Sequence, residues 1–191
     1  MFAMFFLLAF PTPSLAGHGV PRYLNKETTP DMTSMNNIFV GWVNLNPDEW
    51  VLYRHDDTSG ILRGGNNASA WSKADWIDAI NSLNSLFQQR CQSQYLSGRK
   101  IAGAKSNGDE NTMGSDLYIK FSDVRIDYIN YQLILSIHFI DPKTNAEIAT
   151  IPARPYYGNA SGITEVLNAA LDEVGKKIHV EVTGKSGKGK K

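Results

Sequence analysis

The chain has 191 residues, of which 42% are hydrophobic and 20% charged, a size and composition that suit one folded domain and exclude a disordered chain. Nineteen basic residues balance nineteen acidic ones, so no whole-molecule field draws in nucleic acid or an anionic membrane. The lone cysteine, Cys91, rules out an internal disulfide framework and a CxxC redox or zinc motif.

The chain opens on an unbroken apolar run, Phe2 to Phe10, followed by a short turn-forming stretch in which Ser14 and Ala16 are the small residues. This is the profile of a secretory signal over residues 1–16, cut after Ala16. The run is too short to span a bilayer, which takes about 20 helical residues, so no stable transmembrane anchor is expected. Residues 17–36 are polar, carry Pro21 and Pro30, and read as an extended arm.

A single α/β domain is expected over residues 37–183. Its first strand is Asn37 to Leu45, nearly all apolar and β-rich, as in a strand covered on both faces. Trp50 to Tyr53 reads as a further short strand or a pinned loop, and residues 54–69 as loop. Ser72 and Asp75 start a long helix, in which Trp76, Ile80, Leu83, Phe87 and Cys91 recur at spacings of three and four up to about Tyr95. Cys91 falls on the apolar stripe and is expected to be a buried small hydrophobe.

A Gly/Ser/Asn-rich loop follows, with Ile101 and Ala102 as a possible short strand. Leu117, Ile119 and Phe121 then alternate with polar partners. The alternation shifts register at Val124 and Ile126, which predicts a bulge near Asp123. The clearest period-two pattern is Tyr131, Leu133, Leu135, Ile137 and Phe139, with Leu135 expected to face the helix carrying Leu83 and Phe87. A turn at Asp141 to Asn145 leads to a strand at Ala146 to Ile151, making an antiparallel hairpin. The last helix runs from about Ser161 with Ile163, Val166, Leu167, Ala170, Leu171, Val174 and Ile178 on one stripe. Residues 184–191 (GKSGKGKK) have nothing to bury and read as a disordered basic tail. The expected fold is an α/β domain of the α+β type, a two-layer sandwich with a short, mostly antiparallel sheet and two amphipathic helices on one face.

The order strand (Ile38 to Leu45), helix (Ser72 to Tyr95), hairpin (LSIHFIDPKTNAEIATIP) and helix (ITEVLNAALDEVGKKI) resembles the α/β domain of bacterial envelope accessory proteins. These include the curli-secretion lipoprotein, the lipoprotein activators of penicillin-binding proteins and the amino-terminal domain of the Tol propeller protein. The resemblance covers about residues 37–180, and its sharpest piece is Asp141-x-Lys143-Thr144-x-x-Glu147-Ile148. The chain departs from the pattern with Asn145 where glycine is usual, and with no cysteine for lipid attachment after residue 16. The resemblance implies a periplasmic, non-catalytic partner of an envelope machine.

Chemistry-bearing motifs are few. Gly98 to Ser106 approaches a phosphate-binding loop but with a residue between Gly103 and Lys105 that breaks the required spacing. His55, Asp56 and Asp57 are adjacent loop residues, a poor arrangement for converging on one metal ion. His138 lies on the polar side of its strand and His179 near a helix end. Asp123, Asp127 and Asp141 sit near strand ends, where turn and edge duties account for them better than acid–base work. No GxSxG elbow or HExxH motif occurs, and no cofactor or metal is called for.

The segment Pro152 to Gly158 reads as a rigid loop, and its Arg154, Tyr156 and Tyr157 are the residue types enriched at binding hot spots. They are the candidate binding residues, although Tyr rings covering the sheet end are the plainer account. Trp42, Trp50, Trp71 and Trp76 could line a small pocket, with core packing favoured for Trp42 and Trp76. The expected role is an exported, non-catalytic interaction or assembly module of the cell envelope with an envelope protein as partner. The alternative is a periplasmic binding protein for a small apolar or envelope-derived ligand, and an enzyme comes third.

Overall fold

A computed structural model describes residues 31–45, 73–127, 130, 132–158 and 163–184. The expected signal peptide, most of the arm, Trp50, His55 to Asp57, Trp71, the Ser72 helix start and the Lys-rich tail beyond Gly184 lie outside these residues.

Among the described residues the chain forms a five-stranded mixed sheet with two α-helices. The strands are β1 (Asn37–Val40), β2 (Lys100–Gly103), β3 (Leu117–Asp127), β4 (Gln132–Asp141) and β5 (Ala146–Tyr157). Their spatial order is β2-β1-β3-β4-β5. β1 runs parallel to both neighbours, whereas β3, β4 and β5 form an antiparallel meander. The sheet is therefore mixed, with two antiparallel strand pairs and two parallel ones. The parallel pairs follow from the crossover through helix α1 (Lys73–Arg90), since parallel neighbours need a long connection.

Alternation decides what each face carries. Ile38 and Val40 of β1, Leu117, Ile119 and Phe121 of β3, and Leu133, Leu135, Ile137 and Phe139 of β4 join one apolar cluster. α1 contributes Trp76, Ile80, Leu83 and Phe87 to it, and α2 (Ile163–Thr183) contributes Leu167, Leu171, Val174 and Ile178. Leu135 is fully buried, as its position in the alternation requires. The helix packed directly over β4 and β5 is α2, while α1 lies against α2 and β2. Leu135 thus meets Leu83 and Phe87 as members of one shared cluster rather than beneath their helix. Phe87 reaches across to Phe121 in an edge-to-face contact with ring centroids 5.9 Å apart.

α1 ends in a π-helical turn, Cys91–Tyr95. Cys91 is completely buried there, and burial pushes its thiol up to about 12. The Tyr95 hydroxyl donates to the Asp172 carboxylate, while His179 Nδ1 meets the Tyr95 carbonyl. The end of α1 is thereby tied to α2.

The first strand is shorter than its apolar run. β1 stops at Val40, yet Val43 and Leu45 remain buried beyond it. Asn84 on α1 holds this continuation: Val43 N–H donates to its Oδ1 at 2.8 Å, and its Nδ2 donates to the carbonyls of Val43 and Ile80, both at 3.1 Å. A buried amide with its donors and acceptor engaged replaces the strand pairing that the chain has left.

The expected bulge is present. Register shifts between Ser122 and Arg125, and Asp123 adopts φ 54°, a left-handed conformation that, glycine apart, aspartate and asparagine adopt more readily than other residues. Asn145, in the β4–β5 turn, has φ 56°. Asparagine tolerates that conformation better than other residues with a side chain, so it serves where glycine would be ideal.

Candidate functional site

Arg154, Tyr156 and Tyr157 do not lie on a loop after the hairpin. β5 continues through them to Tyr157, pairing Arg154 with Leu135, Pro155 with Ile134 and Tyr156 with Leu133. Pro152 and Pro155 do not end the strand: the register against β4 shifts between Arg154 and Ile151, which puts Pro152 in a bulge, and Pro155 sits on an edge strand, two places where a sheet tolerates proline. Alternation then separates the two tyrosines. Tyr156 turns into the core at 2% exposure, with a hydroxyl that finds no hydrogen-bond partner among the described residues and burial pushing its phenol up to about 12. Tyr157 is 62% exposed. The Arg154 guanidinium is exposed and stands 5.3 Å from the Tyr156 ring centroid, a cation–π distance. Two of the three residues are accessible to a partner, and Tyr156 is the buried support beneath Arg154.

The sheet face away from the helices carries a second constellation. Phe39 and Tyr118 stack edge to face at 5.6 Å and, with Ala104, form a small apolar cluster there. Beyond it a polar row crosses three strands. Ser122 Oγ on β3 is 2.8 Å from His138 Nε2 on β4, and His138 Nδ1 is 2.8 Å from Glu147 Oε2 on β5. The Asp123 carboxylate accepts from Ser136 at 2.7 Å and from Ser122 at 2.9 Å.

A serine, a histidine and a carboxylate at these distances have the connectivity of a nucleophile relay, but the proton count opposes that role. Ser122 has a single hydroxyl hydrogen facing two acceptors. If it goes to Asp123, the Ser122 oxygen can only accept from His138 Nε2, and the imidazole is not placed to take a proton from it. If the hydrogen goes to His138 instead, Ser122 Oγ and the Asp123 carboxylate face each other at 2.9 Å with no hydrogen between them. A fixed carboxylate beside Oγ also opposes the negative charge that acyl transfer must build nearby. The row therefore serves as a cross-strand clip over the bulge.

The carboxylates on this face are held ionised. Ser136 and Ser122 keep Asp123 below the usual range, with help from His138 and Arg125. Thr150 and His138 do the same for Glu147, and Lys120 for Glu110. A carboxylate so stabilised is a weak base and carries no proton to donate near neutrality. Asp127 and Asp141 are engaged elsewhere, Asp127 with Asn130 and Asp141 with Lys143 and Thr144. The strand-end aspartates thus do not converge. In the loop that approached a phosphate-binding motif, the Lys105 N–H already donates to Asp109 at 2.8 Å.

Beside the clip lies a cleft of about 310 Å³ between β3, the residues after β1 and the 107–110 turn, lined in part by Trp42, Asn44, Asn107, Tyr118 and Ser122. Trp76 is buried in the core, whereas Trp42 is only half-buried and faces this cleft. Sequence reading missed the site because Ser122, His138 and Glu147 meet only through strand register. The available signal was the polar side of β4, where Ser136 and His138 alternate with core residues.

Among the described residues no helix is long and apolar enough to cross a membrane, and no group of three or more His, Cys, Asp or Glu side chains is placed to hold a metal ion. No family model matches the chain, and no curated protein matches it. A solved structure similar to it is that of a Xanthomonas campestris protein of the DUF330 family, at 14% identity over 78% of this chain and 86% of that one, with a TM-score of 0.35.

Proposed function

We propose that this chain is an exported, non-catalytic interaction module of the bacterial cell envelope that meets a protein partner through the open edge of its sheet at Arg154 and Tyr157. The observation that carries this reading is Tyr157, 62% exposed on an edge strand, with the exposed Arg154 three residues before it on the opposite side of the strand. Tyrosine and arginine are over-represented among residues whose truncation costs about 2 kcal/mol or more of binding. Proline on an edge strand makes it a poor template for open-ended strand addition, so Pro152 and Pro155 favour side-chain contacts at this edge. Export rests on the signal-like residues 1–16, and the envelope setting on the resemblance of the hairpin and last helix.

The test combines folding with capture. A photo-crosslinker beside Tyr157 should trap an envelope protein, and the Arg154→Ala/Tyr157→Ala double variant should weaken that complex by about 2 kcal/mol or more. Its denaturant midpoint should barely move, because both side chains are exposed. Undiminished capture by a folded double variant removes the edge from the site. Mass spectrometry of the mature protein should find Gly17 first, and a full-length species as the main product would refute export.

A second reading, a receptor for a small ligand, is favoured by the cleft beside Trp42. Its volume of about 310 Å³ falls at the lower end of the ~300–1,000 Å³ typical of ligand pockets. Isothermal titration with small ligands would detect it.

A further inference from the structure

We infer that the cleft beside Trp42 is a binding site for a neutral polyhydroxylated ligand, one or two saccharide rings in size, an inference that rests on the small-ligand reading above. The charge of the lining excludes one class. Asp109, Glu110 and Asp123 contribute three carboxylates against the single ammonium of Lys120, and all three carboxylates are held ionised by hydrogen bonds. An excess of two negative charges repels phosphates and carboxylates. The polar rim excludes a second class, since a wholly apolar ligand would bury these groups without replacing their water.

The hydrogen-bonding capacity left over fits hydroxyl groups. Asn44 and Asn107 line the cleft, and their side chains form no hydrogen bond to another described residue, so each has an amide donor pair and a carbonyl acceptor to offer. Among the described residues, Glu110 uses only Oε1, for Lys120 and Tyr118, and Asp123 only Oδ2, for both serines, so Oε2 and Oδ1 have capacity left. Amide donors together with carboxylate acceptors suit hydroxyl groups, which both give and take hydrogen bonds. An organic ammonium would use only the acceptors. Trp42, half-buried at the wall, and Tyr118 beside it in the lining supply aromatic surface for the C–H face of a sugar ring.

The experiment is a titration of the full mature protein with cellobiose and N,N′-diacetylchitobiose, followed by the side-chain amide signals of Asn44 and Asn107 and the Trp42 indole N–H. Putrescine and glucuronate serve as cationic and anionic comparators. One of the neutral disaccharides should shift these signals with little dependence on salt, while glucuronate should not. Asn107→Ala should weaken binding about tenfold, or ~1.4 kcal/mol. Asn44→Ala should do likewise, and both residues are exposed, so the variants keep their fold. If putrescine alone shifts the three signals, and does so less as salt rises, the cleft is a ligand site but the polyol assignment is wrong. If no probe moves them, the small-ligand reading falls together with the assignment.

Discussion

The two faces of the sheet are built from the same strands, yet they do different work. On the helix side, successive odd residues of β4, from Leu133 to Phe139, are fully buried. On the other side the intervening residues include Ser136 and His138, which hydrogen-bond to β3 and β5 instead of packing under a helix. The first face is stabilised by removing apolar surface from water, which is non-directional and tolerant of rearrangement. The second relies on directional bonds, each modest in net worth. Stability therefore concentrates on one face and selectivity on the other.

Adjacent residues give the sharpest way to test that division. Leu135→Ala, at a fully buried site, should lower the unfolding free energy by about 2 to 5 kcal/mol. Ser136→Ala, one position along and facing away, should cost about 1 kcal/mol by loss of one hydrogen bond. Denaturant midpoints of the two variants measure the ratio, and equal losses would erase the distinction between faces. Asn84 sharpens the comparison from within the apolar side. Truncating it to alanine strands the N–H and carbonyl of Val43 in the core, at a cost on the order of 3 kcal/mol. An unchanged midpoint would show that the Val43 segment finds other partners.

The smallest expected effect is that of acid. Asp116 accepts from the backbone N–H groups of Asn37 at 3.0 Å and Asn36 at 3.3 Å, and from the Asn37 side chain at 3.1 Å, which together hold it below the usual range. A group whose folded-state pKa is depressed adds stability that is complete above its unfolded value, about 3.9 for Asp. That contribution is lost as pH falls through the folded value. Stability measured from neutral pH downward should decline below about pH 4, and less steeply in Asp116→Asn. Identical acid slopes would remove Asp116 from the account.

Much of the apolar face was legible. Alternation of Leu133, Leu135, Ile137 and Phe139 placed β4, the three-and-four spacing placed both helices, and the broken alternation at Val124 located the Asp123 bulge. What escaped was set by pairing. The parallel placement of β1 leaves no local mark, because either neighbour satisfies a doubly covered strand. Pro152 read as the start of a loop, and only the bulge opposite Ser136 on an edge strand, visible once the strands are paired, lets β5 run on to Tyr157. Asn84 was visible as a polar residue within the apolar stripe of α1, but its partner, Val43, lies 41 residues away.

Cys91 gives the molecule a built-in reporter of its own opening. With no exposed surface and a thiol pushed up to about 12, it is shielded from alkylating and oxidising reagents until the end of α1 parts from α2. Its rate of chemical labelling is therefore a clock for that separation, read from a single sulfur atom without any added probe.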